Sequence, residues 1–434
     1  MVFGTAVSGI QAATKDLEVI GNNISNASTS GFKGSRSQFS DVYATGGGQT
    51  SVGTGVRLSR VQQLYSQGNF TYTNNSLDLA ISGSGFFVLN SQGSRIYTRS
   101  GAFGIDNEGY IVNSSNQRLV GLQADASGTL GSISGDMRVS TANIPPLATT
   151  NVEMGLNMFA NAVPPGIAWT GGATPATNTY NNVTSSTVYD SLGNSHVLSM
   201  YFIKADSTAA AGAPNASAPP GTENQWYIAF QLDNQNLPAN VGATNSDNLY
   251  RVNFNPDGSF AGAEDVAGNP LTNNLMPFAV TLNNGSNPLN FNVDLSPSTQ
   301  FGSPFAVQSN NPNGYTTGRL DSLEIDETGG LFGRYTNGES RLMGQVQIAT
   351  FANLAGLQNL TDTNWAETGA SGAAIVGNPA TGSLGKIQSG ALEDSNVDLT
   401  SELVKLIGAQ RNFQANAQTI KTADAVTQTI INIR

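Results

Sequence analysis

The sequence predicts a mainly β protein with long α-helices at both ends, and three observations carry that reading. Apolar residues at the N-terminus keep an unbroken alternation of three- and four-residue steps, the same spacing returns at the C-terminus, and turn signals cut the stretch between into short apolar runs. The terminal helices are expected to pair as a coiled coil, with nested, discontinuous all-β domains between them.

The first helix rests on Phe3, Ala6, Ile10, Ala13, Leu17, Ile20 and Ile24. Such a stripe is narrower than the face of an ordinary core helix and suits a coiled-coil seam, and it stops at Asn26. Past Gly46-Gly47-Gly48, the run from Val56 to Val61 reads as extended, so residues 31–70 are taken as a linking segment. Leu77, Leu79 and Ile81 then alternate, Gly83-Ser84-Gly85 breaks the run, and Phe86 to Leu89 reads as a short buried strand. Turn signals at 91–93, 106–109 and 113–116 mark a β-meander.

An echo links this stretch to a distant one. Ile105-Asp106-Asn107-Glu108-Gly109 resembles Ile325-Asp326-Glu327-Thr328-Gly329, Asn337-Gly338 is the strongest hairpin signal, and Val346 and Ile348 alternate with Gln345 and Gln347. Residues 71–145 and 316–391 are therefore joined into one β-rich domain. Between them, strand patterns at Val188-Tyr189, His196 to Ile203, Trp226 to Phe230, Tyr250 to Phe254 and Phe291 to Leu295, with small-residue loops such as Ala209 to Gly221, give an all-β insert over 146–315.

The last helix has candidate caps in Asp394-Ser395-Asn396, and Leu399, Leu403, Leu406, Phe413, Ala417 and Ile420 repeat the seam with Gln410 as its polar exception. Beyond Ile420 the phase slips and resumes as Ala423, Val426, Ile430 and Ile433, a stutter. A helix from about Val397 to Arg434 would span ~57 Å. Residues 1–30 and 392–434 are thus assigned to one terminal helical domain.

Composition narrows the function. The 434 residues carry a net charge of -11 with only 11% charged residues, which disfavours nucleic acid and anionic membrane as partners. Ten acidic residues between 139 and 318 face only Lys204 and Arg251, so that stretch holds -8 of the total. No cysteine is present, which removes disulfides and thiolate chemistry, and the single His196 leaves no material for a triad or a His-rich metal site. We expect no catalytic, cofactor-binding or metal site. His196 reads as a structural or surface residue, Glu264-Asp265 as a solvated turn, and Asn182-Val183-Thr184 as a chance triplet. Gly83-Ser84-Gly85 lacks the ending and the helix of a phosphate loop. No apolar run reaches the length of a membrane helix, and Lys15-Asp16 interrupts any secretory signal.

The run from Leu17 to Lys33, centred on Asn22-Asn23, Asn26-Ala27 and Gly31-Phe32-Lys33, resembles the N-terminal signature of the bacterial flagellar rod and hook family. Gln62 to Phe70, Asp78 to Phe87 and Ala409 to Phe413 resemble the same family, and the large insert with Asp190 to His196 resembles its hook members rather than its shorter rod members. The resemblance implies a self-assembling tube outside the cell, a universal joint that links rod to filament and transmits motor torque. Its terminal helices would line a central export channel, which makes the seam residues subunit-interface candidates. It implies copies of itself, rod, hook-cap and hook-filament junction proteins and the type III export apparatus as partners, with export without a cleaved signal. Some relatives crosslink through a cysteine, and none is available here. The alternatives are a distal rod subunit and, in a different class, a secreted β-rich adhesin or glycan-binding protein.

Overall fold

Residues Val2–Ser25 form helix α1 and Leu399–Asn432 the 34-residue helix α2. The computed structural model describes residues 2–42, 53–167, 169, 174–206, 223–237, 249–265 and 268–432, so the Gly46 run, the loop from Ala209 to Gly221, Ile433 and the side chain of Ile430 lie outside the described residues. The chain divides into two compact units: Met1–Thr141 with Asp321–Arg334 and Ser340–Arg434, and Ala142–Leu320 with Tyr335–Glu339. No helix among the described residues is long and apolar enough to cross a membrane.

In the first unit the two helices run antiparallel. Asn23 near the end of α1 hydrogen-bonds Glu402 in the first turn of α2, while a Cβ added to Gly9 would lie 2.4 Å from Asn416 Oδ1. Glycine at position 9 therefore sets how closely the helices approach. Ala6, Ala13 and Ile20, one heptad apart, are buried on α1, and Ala409 on α2. The cap of α2 differs from the expected one. Asp398 receives the Ser401 amide at 2.6 Å, whereas Asp394 and Asn396 are engaged by other segments. The start moves because those two side chains have better-placed partners across the joint.

Strands 35–42 and 55–63 form a local antiparallel ladder, and two short antiparallel ladders, 70–72 with 391–393 and 79–82 with 386–389, tie the two ends of the unit together. A 13-stranded sheet follows, whose main path runs 320–325, 330–335, 340–346, 118–124, 86–91, 94–98, 364–366 and 358–359. Phe86, Val88, Tyr97, Val120, Ala349, Phe351 and Trp365 pack as one of its cores. Burying side chains of this size is worth about 1.5–3 kcal/mol each. Two details differ from the sequence reading. Leu79, Ala80 and Ile81 are all buried, so that strand is covered on both faces. Val346 and Ile348 belong to separate strands, broken at Gln347, whose side chain accepts a hydrogen bond from Ser134.

The second unit is a β-sandwich. A five-stranded sheet (151–159, 275–280, 289–294, 299–301, 306–312) and a six-stranded sheet (182–189, 195–204, 225–232, 235–236, 249–254, 260–264) share one apolar cluster. Met154, Phe278 and Phe291 from the first sheet meet Phe202, Trp226 and Phe230 from the second. Strand 151–159 pairs in parallel with 289–294 and 299–301 and antiparallel with 306–312, which places it inside its sheet.

One turn recurs in both units. Asp106 Oδ1 accepts the amides of Glu108 and Tyr110 at 2.9 and 2.8 Å, and Gly109 follows with φ +88°. Asp125, Asp190 and Asp326 make the same pair of bonds, each with a glycine three residues on at positive φ. The carboxylate closes the turn and the glycine takes the left-handed residue that other side chains resist.

Candidate functional site at the root of the helices

Family-signature residues meet where α1 leaves the helical pair. Asn26 donates through Nδ2 to Asn22 O at 3.0 Å and accepts from Thr29 Oγ1 at 3.2 Å, which folds the chain back after the last helical turn. Gly31 has φ +72°, and a Cβ there would lie 2.4 Å from Ser100 N. Only glycine fits that approach.

Asn23 is buried and acts as a clip. Its Oδ1 accepts from Ser35 N at 2.9 Å, and its Nδ2 donates to Ser35 O at 2.7 Å and to Glu402 Oε2 at 3.2 Å. One amide thereby ties α1 to the first strand and to α2. Asn396 does the same from the other end of the chain, accepting from Gly34 N at 2.8 Å and donating to Leu64 O at 2.8 Å.

Beneath these clips lies a buried ion cluster. Lys33 Nζ is 2.5 Å from Glu393 Oε1 and donates to Ser66 O at 2.8 Å, while Arg99 Nη1 is 3.0 Å from Glu393 Oε2. Gly68 N adds a bond to Glu393 Oε1 at 2.9 Å. Burial pushes the Lys33 ammonium below its ordinary range, and the bond and charge of Glu393 offset only part of that. Burial likewise lowers Arg99, again against the pull of Glu393. Removing one partner from such a cluster strands a buried charge, at about 3–5 kcal/mol.

The remaining signature residues face outward. Asn22 is exposed and Phe32 half-buried, and with Asn26, Gln63, Asn364 and Trp365 they line a cavity of about 420 Å³. Of the seam candidates, Ala6, Ala13 and Ile20 are buried, and Ile10, Leu17, Ile24, Leu406, Ala417 and Ile420 are half-buried. Phe3, Leu399, Leu403, Phe413 and Val426 are exposed in the single chain. On α2 the buried positions are Glu402 and Ala409.

Arg99, Glu393 and Glu402 escaped the sequence reading, and Asn396 reads there as a helix cap rather than as a clip. Their signal was faint: a charge two residues after the apolar pair Ile96-Tyr97, and an acidic pair at Glu393-Asp394 just before a helix. In the second unit, His196 sits between two carboxylates, Nδ1 at 2.6 Å from Asp233 and Nε2 at 3.4 Å from Asp190. Among the described residues no cluster of three or more His, Cys, Asp or Glu could hold a metal. What the joint can do is mechanical. It fixes the exit direction of both helices relative to the first unit's strands through buried, mutually dependent polar contacts.

Four family profiles match along the chain: the flagella basal body rod protein over 3–33, the flagellar hook protein FlgE/F/G D1 domain over 80–156, the flagellar basal body protein FlaE D2 domain over 170–315, and the flagellar basal body rod FlgEFG protein C-terminal over 388–433. The flagellar hook protein FlgE of Escherichia coli K12 is 35% identical over 441 residues, covering 100% of both chains. That of Treponema pallidum is 31% identical, covering 99% of this chain and 98% of its own. In fold, the crystal structure of Helicobacter pylori flagellar hook protein FlgE2 superposes with a TM-score of 0.51 at 14% identity, covering 74% of this chain and all of its own. With helices, joint and both β units matched to relatives along their whole length, the chain belongs to the flagellar hook protein family.

Proposed function

We propose that the chain is the structural subunit of the bacterial flagellar hook. It assembles with copies of itself into a curved, flexible tube that joins rod to filament, transmits torque and encloses an export channel. The observation that carries this reading is full-length identity to named hook proteins, across helices and β units alike. The rod, the hook cap, the hook-filament junction and the type III export apparatus are its proposed partners, and it leaves the cell without a cleaved signal.

In this reading α1 and α2 form a coiled-coil domain whose seam meets neighbouring copies. Exposed apolar residues support it: Leu399, Leu403 and Ile407 are 47%, 50% and 50% exposed on α2, and Phe3 is 49% exposed on α1. Such side chains gain about 25 cal/mol per Å² when another copy covers them. Residues 1–30 with 392–434 then form the inner tube and 31–70 link it outward. Residues 71–145 with 316–391 and the acidic 146–315 form the outer layers. No catalytic role is assigned.

Ile20→Asp and Leu406→Asp test the seam separately from the β units. Each is expected to abolish tubes in electron micrographs of concentrated protein while near-ultraviolet circular dichroism of the β units stays as in the parent. A variant that still forms tubes removes its residue from the seam, and a parent chain that stays monomeric contradicts the assembly itself.

A further inference from the structure

At the joint, one carboxylate answers two cations. Lys33 and Arg99 are 1% and 5% exposed, and each holds one oxygen of the fully buried Glu393. With all three ionised, the cluster keeps one net positive charge, and an unbalanced buried charge is costly. That excess lies at the wall of a cavity of about 260 Å³, lined by Lys33, Arg99, Gln67, Ser84, Thr350 and Tyr65 among others, with no acidic side chain in its lining. Arg99 spends Nη1 on Ile81 O and Glu393 and one Nη2 hydrogen on Gly83 O, while its buried Nε has no hydrogen-bond partner. That leaves one Nη2–H uncommitted, and a charge-assisted bond from a guanidinium to a carboxylate is among the stronger hydrogen bonds a protein makes.

We propose that this cavity is a carboxylate-binding site, in which one carboxylate group pairs with Arg99 and balances the charge that Glu393 leaves uncompensated. The group can arrive as a small free anion or as an Asp or Glu side chain of a second copy. The cavity is too small for a large ligand, and its neutral lining of Gln67, Ser84, Thr350 and Tyr65 offers hydrogen bonds without competing charge.

Sodium formate is the probe, exchanged for sodium chloride at fixed ionic strength and pH on the full-length chain. The first unit should melt at a higher temperature in formate, each tenfold rise above the dissociation constant adding the same increment. Saturation transfer from protein to the formate proton should report the contact directly. Ser84 is exposed and lines the cavity, so it tolerates change. Ser84→Asp should supply the carboxylate in place, melt above Ser84→Asn and lose both formate responses, while Ser84→Asn keeps them. No formate response in the parent, or an equal response in Ser84→Asp, overturns the site. Assembled protein separates the sources. Continued formate binding identifies a free anion, and formate exclusion with impaired assembly of Ser84→Asp identifies a neighbour's side chain.

Discussion

At the scale of single residues, His196 shows how a side chain that looks inert in sequence acquires a role. Burial alone would lower its pKa, but hydrogen bonds to Asp233 and Asp190 outweigh that and raise it above the ordinary value of 6.5. Asp190 is itself buried, which would raise it, yet bonds from Asn194, Asn284 and His196 hold it well below the usual carboxylate range. Only the protonated ring can donate to both carboxylates at once. The sign follows from linkage: a raised folded pKa gives stability that is full below about 6.5 and lost as pH rises through the folded value. Unfolding of the second unit followed from pH 6 to 9 should therefore show stability falling in the parent and a flat profile in His196→Gln. Identical profiles would remove His196 from the network. The joint was only half legible at this scale. Asn23, Gly31 and Lys33 stand in a recognisable local run, but Glu393 lies 360 residues beyond Lys33, and no local pattern pairs them.

Elements were legible where local chemistry decides them. The Asp-x-x-Gly echo at 106 and 326 proved to be one turn with the same bonds, because an aspartate two and four residues before amides closes it whatever the surroundings. Asp326→Ala should cost about 1.5–3 kcal/mol of first-unit stability by denaturant unfolding, the scale of hydrogen bonds to a charged acceptor. Asp326→Asn should cost little, since Asn113 closes a similar turn through its own Oδ1. An alanine variant as stable as the parent would show the turn held by its strands alone. Legibility failed where a long-range partner wins. Asp394 and Asn396 looked like caps but are held by Thr71, Gly34 and Leu64, leaving Asp398 to start α2. Likewise, apolar spacing selects Leu399 and Leu403, whereas the bond from Asn23 turns Glu402 inward.

For the whole molecule, the pattern of alternating and wholly apolar runs was enough to give a mainly β chain between two helices, and the charge map marked 139–318 as the acidic stretch. The pairing of early strands with the last ones was hidden, because the ladders joining 70–72 to 391–393 and 79–82 to 386–389 span most of the chain. Helices with so much exposed apolar surface open easily alone and gain protection when copies cover them. Amide hydrogen exchange on free and polymerised protein tests this most directly. The account predicts fast exchange before about Ser25 and after about Val397 in the free chain and marked slowing in the polymer, with both β units protected throughout. Equal protection of the helices in the two states would contradict it, and would make the helical pair a closed element of the single chain.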